Sequence, residues 1–110
     1  MQLICKQKFA AAHQLPNYPG DCAKLHGHTW GVEVRIEGDI QENGMVIDFR
    51  DVKQALKTFL PDHEYLNDWL PNPTAENLAQ YLYSKLWIKF PTLKSVTIWE
   101  SEDAGVVYEG

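Results

Sequence analysis

Cysteine is scarce in this chain: Cys5 and Cys22 are the only two in 110 residues. That rules out a small secreted scaffold stapled by several disulfides, and without export features two free thiols are the expected state. Long apolar runs are missing as well, since none approaches the ~20 residues that cross a bilayer. The N-terminal stretch MQLICKQKF has no charged region followed by a long apolar one, so no secretory leader is expected and the cytoplasm is the expected location. Basic residues are few, 10 Lys and Arg against 15 Asp and Glu, for a net charge of −5. This excludes a general binder of nucleic acid or membrane surface, both of which need a cationic excess. It does not exclude an anionic small substrate, because salt screens charges beyond roughly 8–10 Å and a few local cations can govern a pocket. There is no internal repeat, low-complexity tract or linker, so residues 1–110 are expected to form a single domain with one core.

What is present is a clear alternation of periods. Leu3 to His13 reads as a strand whose odd positions, Leu3, Cys5, Phe9, Ala11 and His13, form the more apolar face, interrupted by Gln7. A Pro- and Gly-rich loop, QLPNYPGDCAKL, leads to the clearest strand in the chain, HGHTWGVEVRIEGD. There His26, His28, Trp30, Val32, Val34 and Ile36 share one face, and Thr29, Glu33, Arg35 and Glu37 the other. Asp48 is a good N-cap for a helix carrying Val52, Ala55, Leu56, Phe59 and Leu60, with Pro61 as its stop. A second helix is predicted from NPT, with Asn72 as cap and Pro73 at the first helical position, followed by Ala75, Ala79, Leu82 and Leu86. LKSVTIWE and a short GVVYEG close the chain as strands. The predicted order is ββααββ, an α+β fold.

Strand parity points to a metal site. His26 and His28 are two apart and face the same way, and His13 ends the first strand on its apolar face. If the two strands form an antiparallel hairpin, all three converge at its loop end, with Cys22 in the loop above. Three neutral imidazoles suit zinc and leave a fourth position for water or substrate. Gly27 is expected to give the backbone the freedom to aim both flanking rings at one ion. Cys22 has two readings here. As a thiolate near a dication and Lys24 it is a nucleophile or base. As a fourth ligand it would close the sphere and make the protein a non-catalytic zinc-binding module.

Other residues are open on sequence alone. Asp62 and His63 form either a carboxylate–imidazole pair or a polar turn after Pro61. Glu100 shares parity with Val96 and Ile98, so it either marks the wet end of a strand or binds a ligand with adjacent N–H donors. Thr74 and Glu76 suit a helix N-terminus as cap and dipole partner. Cys5, on the apolar face, is expected in the core.

Six stretches in order, FAAAHQLP, CAKLHGHTW, VIDFRDVK, DHEYLND, NPTAENLA and WES, resemble the 6-pyruvoyl-tetrahydropterin synthase superfamily over almost the whole chain. The Cys-x-x-x-His-Gly-His spacing is most similar to its 6-carboxy-5,6,7,8-tetrahydropterin synthase branch, the QueD enzymes of queuosine biosynthesis. The resemblance implies a tunnelling fold (T-fold): an antiparallel sheet with two helices on one face, in homo-oligomers, hexamers or tetramers, whose active sites lie between subunits. It implies zinc on His13, His26 and His28, a catalytic Cys22, a proton-relay pair in Asp62 and His63, and Glu100 as the anchor of the pterin's amino-pyrimidinone edge. Lys24 is the expected phosphate contact, and Thr74 a further substrate contact. The implied reaction turns 7,8-dihydroneopterin triphosphate into 6-carboxytetrahydropterin, acetaldehyde and triphosphate. A 6-pyruvoyl-tetrahydropterin synthase, which stops after triphosphate elimination, is the alternative. Pro61 and Glu64 depart from the family pattern, where Leu and a basic residue or His are expected.

Overall fold

The computed structural model describes residues 1–110. Two strands of equal length dominate it: β1 (Gln2–His13) and β2 (His26–Glu37) pair antiparallel from Gln2–Glu37 to His13–His26 without a slip. A one-residue slip would turn one strand's apolar set to the other face, so pairing keeps both sets on the same side. Leu3, Cys5, Phe9, Ala11 and His13 of β1 are buried, as are Trp30, Val32, Val34 and Ile36 of β2. Helices α1 (Phe49–Phe59) and α2 (Ala75–Lys89) supply the opposing layer through Val52, Ala55 and Leu56, and through Leu78, Ala79, Leu82 and Leu86. β4 (Leu93–Trp99) pairs antiparallel with β2, and β5 (Gly105–Tyr108) with β4. The other face of the sheet carries ion pairs, Lys6–Glu33 at 3.5 Å and Lys94–Glu37 at 2.9 Å.

Three details differ from expectation. A strand of two residues, β3 (Glu64–Tyr65), lies between the helices in sequence and pairs parallel with Ala11 and Ala12. The sheet is therefore mixed, in the order β3-β1-β2-β4-β5, and the chain order is ββαβαββ. The cap of α2 is Thr74, whose hydroxyl accepts from the Asn77 N–H at 3.1 Å. Asn72 and Pro73 lie before the helix, and the Pro73 carbonyl is committed to His13. Asp48 does cap α1, accepting from the Arg50 N–H at 2.9 Å, and β2 stops at Glu37 rather than Asp39.

Candidate metal centre and active site

The hairpin register assembles the centre. His13 lies directly opposite His26, and His28 lies opposite Ala11, whose small side chain leaves room for the imidazole. One ring nitrogen from each of the three histidines falls within 4.8 Å of the others. β2 is regular through Gly27, where a methyl group would meet only the Ala11 carbonyl at an ordinary 3.7 Å. Strand pairing, not glycine freedom, brings the rings together. Trp30 forms the floor: it is fully buried, donates its indole N–H to the Ala11 carbonyl at 3.2 Å, and meets His13 and His28 edge-on.

Hydrogen bonding sets the tautomers. His13 Nδ1 lies 2.8 Å from the Pro73 carbonyl and His26 Nδ1 lies 2.7 Å from the Lys24 carbonyl. Carbonyls only accept, so both Nδ1 atoms carry hydrogen and both Nε2 atoms of the neutral rings carry lone pairs. Those two Nε2 atoms face each other at 2.9 Å. Lone pairs at that distance repel unless a cation, a proton or a metal ion, lies between them. His28 Nε2 is buried and has no hydrogen-bond partner at all, which costs about 1–3 kcal/mol in a site that serves only folding. Burial pushes the His28 pKa below the ordinary histidine range; the Glu100 carboxylate opposes this, and His13 and His26 add to it. A neutral imidazole is the metal-binding form. Two imidazole nitrogens on one tetrahedral zinc lie about 3.3 Å apart. The His13 and His26 Nε2 atoms stand a little closer than that and all three donors lie within 4.8 Å, so the donor set suits a zinc ion after small ring movements. Carbonyl acceptors on the opposite ring nitrogens are the usual outer support of such ligands.

Cys22 lies outside the ligand group. It sits half-buried in a short helical turn, Asp21–Ala23, of the loop between β1 and β2, and its carbonyl accepts from the Leu15 N–H at 3.0 Å. Cys5 is a core residue, 2% exposed, and burial raises its thiol pKa. Lys24 is exposed and 4.0 Å from Asp21.

Asp62 and His63 are brought together by an unusual backbone. His63 has φ 59, in the left-handed region that non-glycine residues rarely occupy. This swings its ring back, so that Nδ1 lies 3.1 Å from Asp62 Oδ1. The same Oδ1 accepts from the Ala10 N–H at 2.9 Å. That main-chain donor, with a smaller contribution from His63, holds the Asp62 pKa below the usual carboxylate range. His63 and His28 line one open groove of about 590 Å³ along β1 and β2. Glu100 sits just past the end of β4, with Oε1 at 3.7 Å from His28 Nε2, so its carboxylate borders the histidine cluster. The Thr74 hydroxyl is engaged as the helix cap.

Sequence reasoning gave no role to Asn67 or Tyr65. Asn67 binds both main-chain groups of Gln14, and the Tyr65 hydroxyl donates to the Gln14 side chain at 2.9 Å. The stretch DHEYLND contains both, but nothing in its spacing shows that it wraps the end of another strand.

Comparison with known proteins agrees with this geometry. The sequence profile of the family described as 6-pyruvoyl tetrahydropterin synthase matches residues 2–110. The chain is 39% identical over 113 residues to the 6-carboxy-5,6,7,8-tetrahydropterin synthase of Synechocystis, covering 92% of this chain and 88% of that one. It is 34% identical over 113 residues to the dihydroneopterin monophosphate aldolase of Pyrococcus furiosus, covering 98% and 96%. The solved 6-pyruvoyl tetrahydropterin synthase of Caenorhabditis elegans superposes with a TM-score of 0.90 at 26% identity, covering 100% of this chain and 95% of that one. With its paired β1–β2 histidines, two helices on one sheet face and a match over nearly its full length, this chain belongs to the 6-pyruvoyl tetrahydropterin synthase family.

Proposed function

We propose that the chain is a zinc-dependent carbon–carbon lyase that converts 7,8-dihydroneopterin triphosphate to 6-carboxy-5,6,7,8-tetrahydropterin, acetaldehyde and triphosphate, a step of queuosine (7-deazaguanine) biosynthesis. The observation that carries this proposal is the composition of the ligand group: three histidines converge and no cysteine is among them. Three protein ligands leave a coordination position for substrate. Bound zinc supplies a Lewis acid that polarises the substrate's side-chain hydroxyls and makes the adjacent C–H more acidic.

The chain's own residues divide the remaining tasks. The Glu100 carboxylate, which only accepts, receives the N–H donors of the amino-pyrimidinone edge and orients the pterin. Cys22 takes and returns a proton as a thiolate. His63 is the second proton carrier: Asp62 holds its Nδ1–H, leaving Nε2 free to accept. Lys24 meets the phosphates, and the Thr74 hydroxyl, whose oxygen is used by the helix, keeps its own O–H to donate. The His63 side chain is 82% exposed in the single chain, and proton relays work best where water is excluded. Neighbouring copies of the chain, in a hexamer or tetramer, close the site between subunits.

A related substrate, carrying one phosphate and cleaved as by an aldolase, is favoured by one observation. Lys24 is the only cation of the loop from Gln14 to Leu25 and it already pairs with Asp21. Anaerobic incubation of zinc-loaded protein with the mono- and triphosphates, products identified by mass spectrometry, separates the possibilities. Carboxytetrahydropterin and acetaldehyde from the triphosphate support the lyase. A pyruvoyl product moves the chain to the synthase reaction, and turnover of the monophosphate alone makes it an aldolase.

A further inference from the structure

Segment 62–74 is fastened to the end of β1 almost residue by residue. Asp62 accepts from the Ala10 N–H, and the His63 N–H donates to the Ala10 carbonyl at 2.6 Å. β3 pairs with Ala11 and Ala12, and the Pro73 carbonyl takes His13 Nδ1–H. The sheet ends at His13, yet the pattern continues by one residue. The Asn67 amide binds Gln14 twice, Oδ1 accepting its N–H at 2.9 Å and Nδ2 donating to its carbonyl at 2.8 Å. A primary amide presents an acceptor and a donor side by side, so it substitutes for the peptide of an adjacent strand. No carboxylate or alkyl side chain can make both bonds.

Gln14 is the joint between two parts of the site. His13 precedes it. Leu15 follows it, and the Leu15 N–H donates to the Cys22 carbonyl at 3.0 Å. We propose that Asn67 is a positioning residue that holds His13 and Cys22 in a fixed relation through Gln14 and Leu15. The meaning of this for turnover rests on the lyase proposal; the coupling itself does not. Without the clamp the Gln14 main chain turns to water and the loop pivots about its first stem. The second stem stays tied where the Lys24 carbonyl accepts from His26.

The test uses the full-length chain with Asn67→Ala and Asn67→Asp. The aspartate keeps the acceptor for the Gln14 N–H but sets a charged, acceptor-only oxygen against the Gln14 carbonyl in place of the donor. Asn67 lies outside the apolar core, so both variants are expected to fold. Zinc affinity is measured by competition with a chromophoric chelator, and Cys22 accessibility by the rate of iodoacetamide alkylation of the zinc-free protein. Cys5 is buried, so alkylation of the folded chain reports Cys22. Expected are a zinc affinity about 10- to 100-fold lower, the scale of losing an outer support of a ligand, and a changed alkylation rate. On the pterin substrate kcat falls about 100-fold, the scale of a 1 Å misplacement, with KM much less affected. Ile36→Ala, which weakens the core at the opposite end of the β1–β2 pair from the histidines, is expected to keep the wild-type zinc affinity and alkylation rate. A folded Asn67→Asp with wild-type zinc affinity and alkylation rate would overturn the proposal. If wild-type protein turns over no pterin, the lyase proposal fails while the zinc and thiol measurements still decide the role of Asn67.

Discussion

The two ends of the β1–β2 pair present the same face to the helices and do opposite things there. At one end the cross-strand partners are Leu3–Ile36 and Cys5–Val34, all buried. At the other they are Ala11–His28 and His13–His26, with His13 fully buried and His28 holding an unpartnered nitrogen. The first end removes apolar surface from water, worth about 25 cal/mol per Å². The second places polar atoms in the same layer, where each unmet one costs about 1–3 kcal/mol. Phe9 and Trp30, stacked at 6.1 Å, mark the boundary. One end is explained by folding. The other carries a polar cost that folding alone does not repay, at residues that could hold a metal ion.

The largest expected effect comes from erasing this difference. His28→Leu turns the histidine end apolar, and zinc affinity should fall by more than the roughly 100-fold that follows from losing an outer support alone. Chelator competition measures it, and wild-type affinity would show that the cluster is not the metal site. Ile36→Ala attacks the other end. It should cost about 2–5 kcal/mol of stability by the cavity it leaves, read by denaturant unfolding, with zinc stoichiometry unchanged. The smallest effect is expected at Asp62, whose pKa is held below the usual carboxylate range chiefly by the Ala10 N–H. Its contribution is present above the ordinary aspartate pKa and is lost as pH falls through the lowered folded value. Asp62→Asn should therefore lower stability modestly near neutral pH, where the charged carboxylate contributes, and converge on wild type in acid, which flattens the acid limb of the stability profile. An unaltered acid limb would show that this carboxylate does not hold the end of β1.

The histidine cluster was legible in the sequence because a strand has a period of two and a hairpin brings strand ends together. His13, His26 and His28 needed nothing more than parity and pairing. Asp48 and the apolar stripes of both helices were legible for similar reasons, being local. What escaped was non-local or too short to show a period. β3 has two residues, and its pairing depends on the left-handed turn at His63, which no pattern announces. The start of α2 was misplaced because Asn72 and Thr74 are both good caps, and the choice is made by a contact from outside the helix: His13 claims the Pro73 carbonyl. Asn67 was unreadable because its partner is the main chain of a residue far away in sequence.

The central claim of the proposal is that this is an open three-histidine centre served by a catalytic thiol outside the ligand group, rather than a closed four-ligand one. Zinc content and pterin turnover of Cys22→Ala, measured on the same preparation as wild type, test it most directly. The account predicts undiminished zinc with turnover lower by about 10²–10⁴, the usual scale for a proton-transfer group. Loss of the zinc together with Cys22 would contradict it, and would make the centre a structural site that the thiol completes.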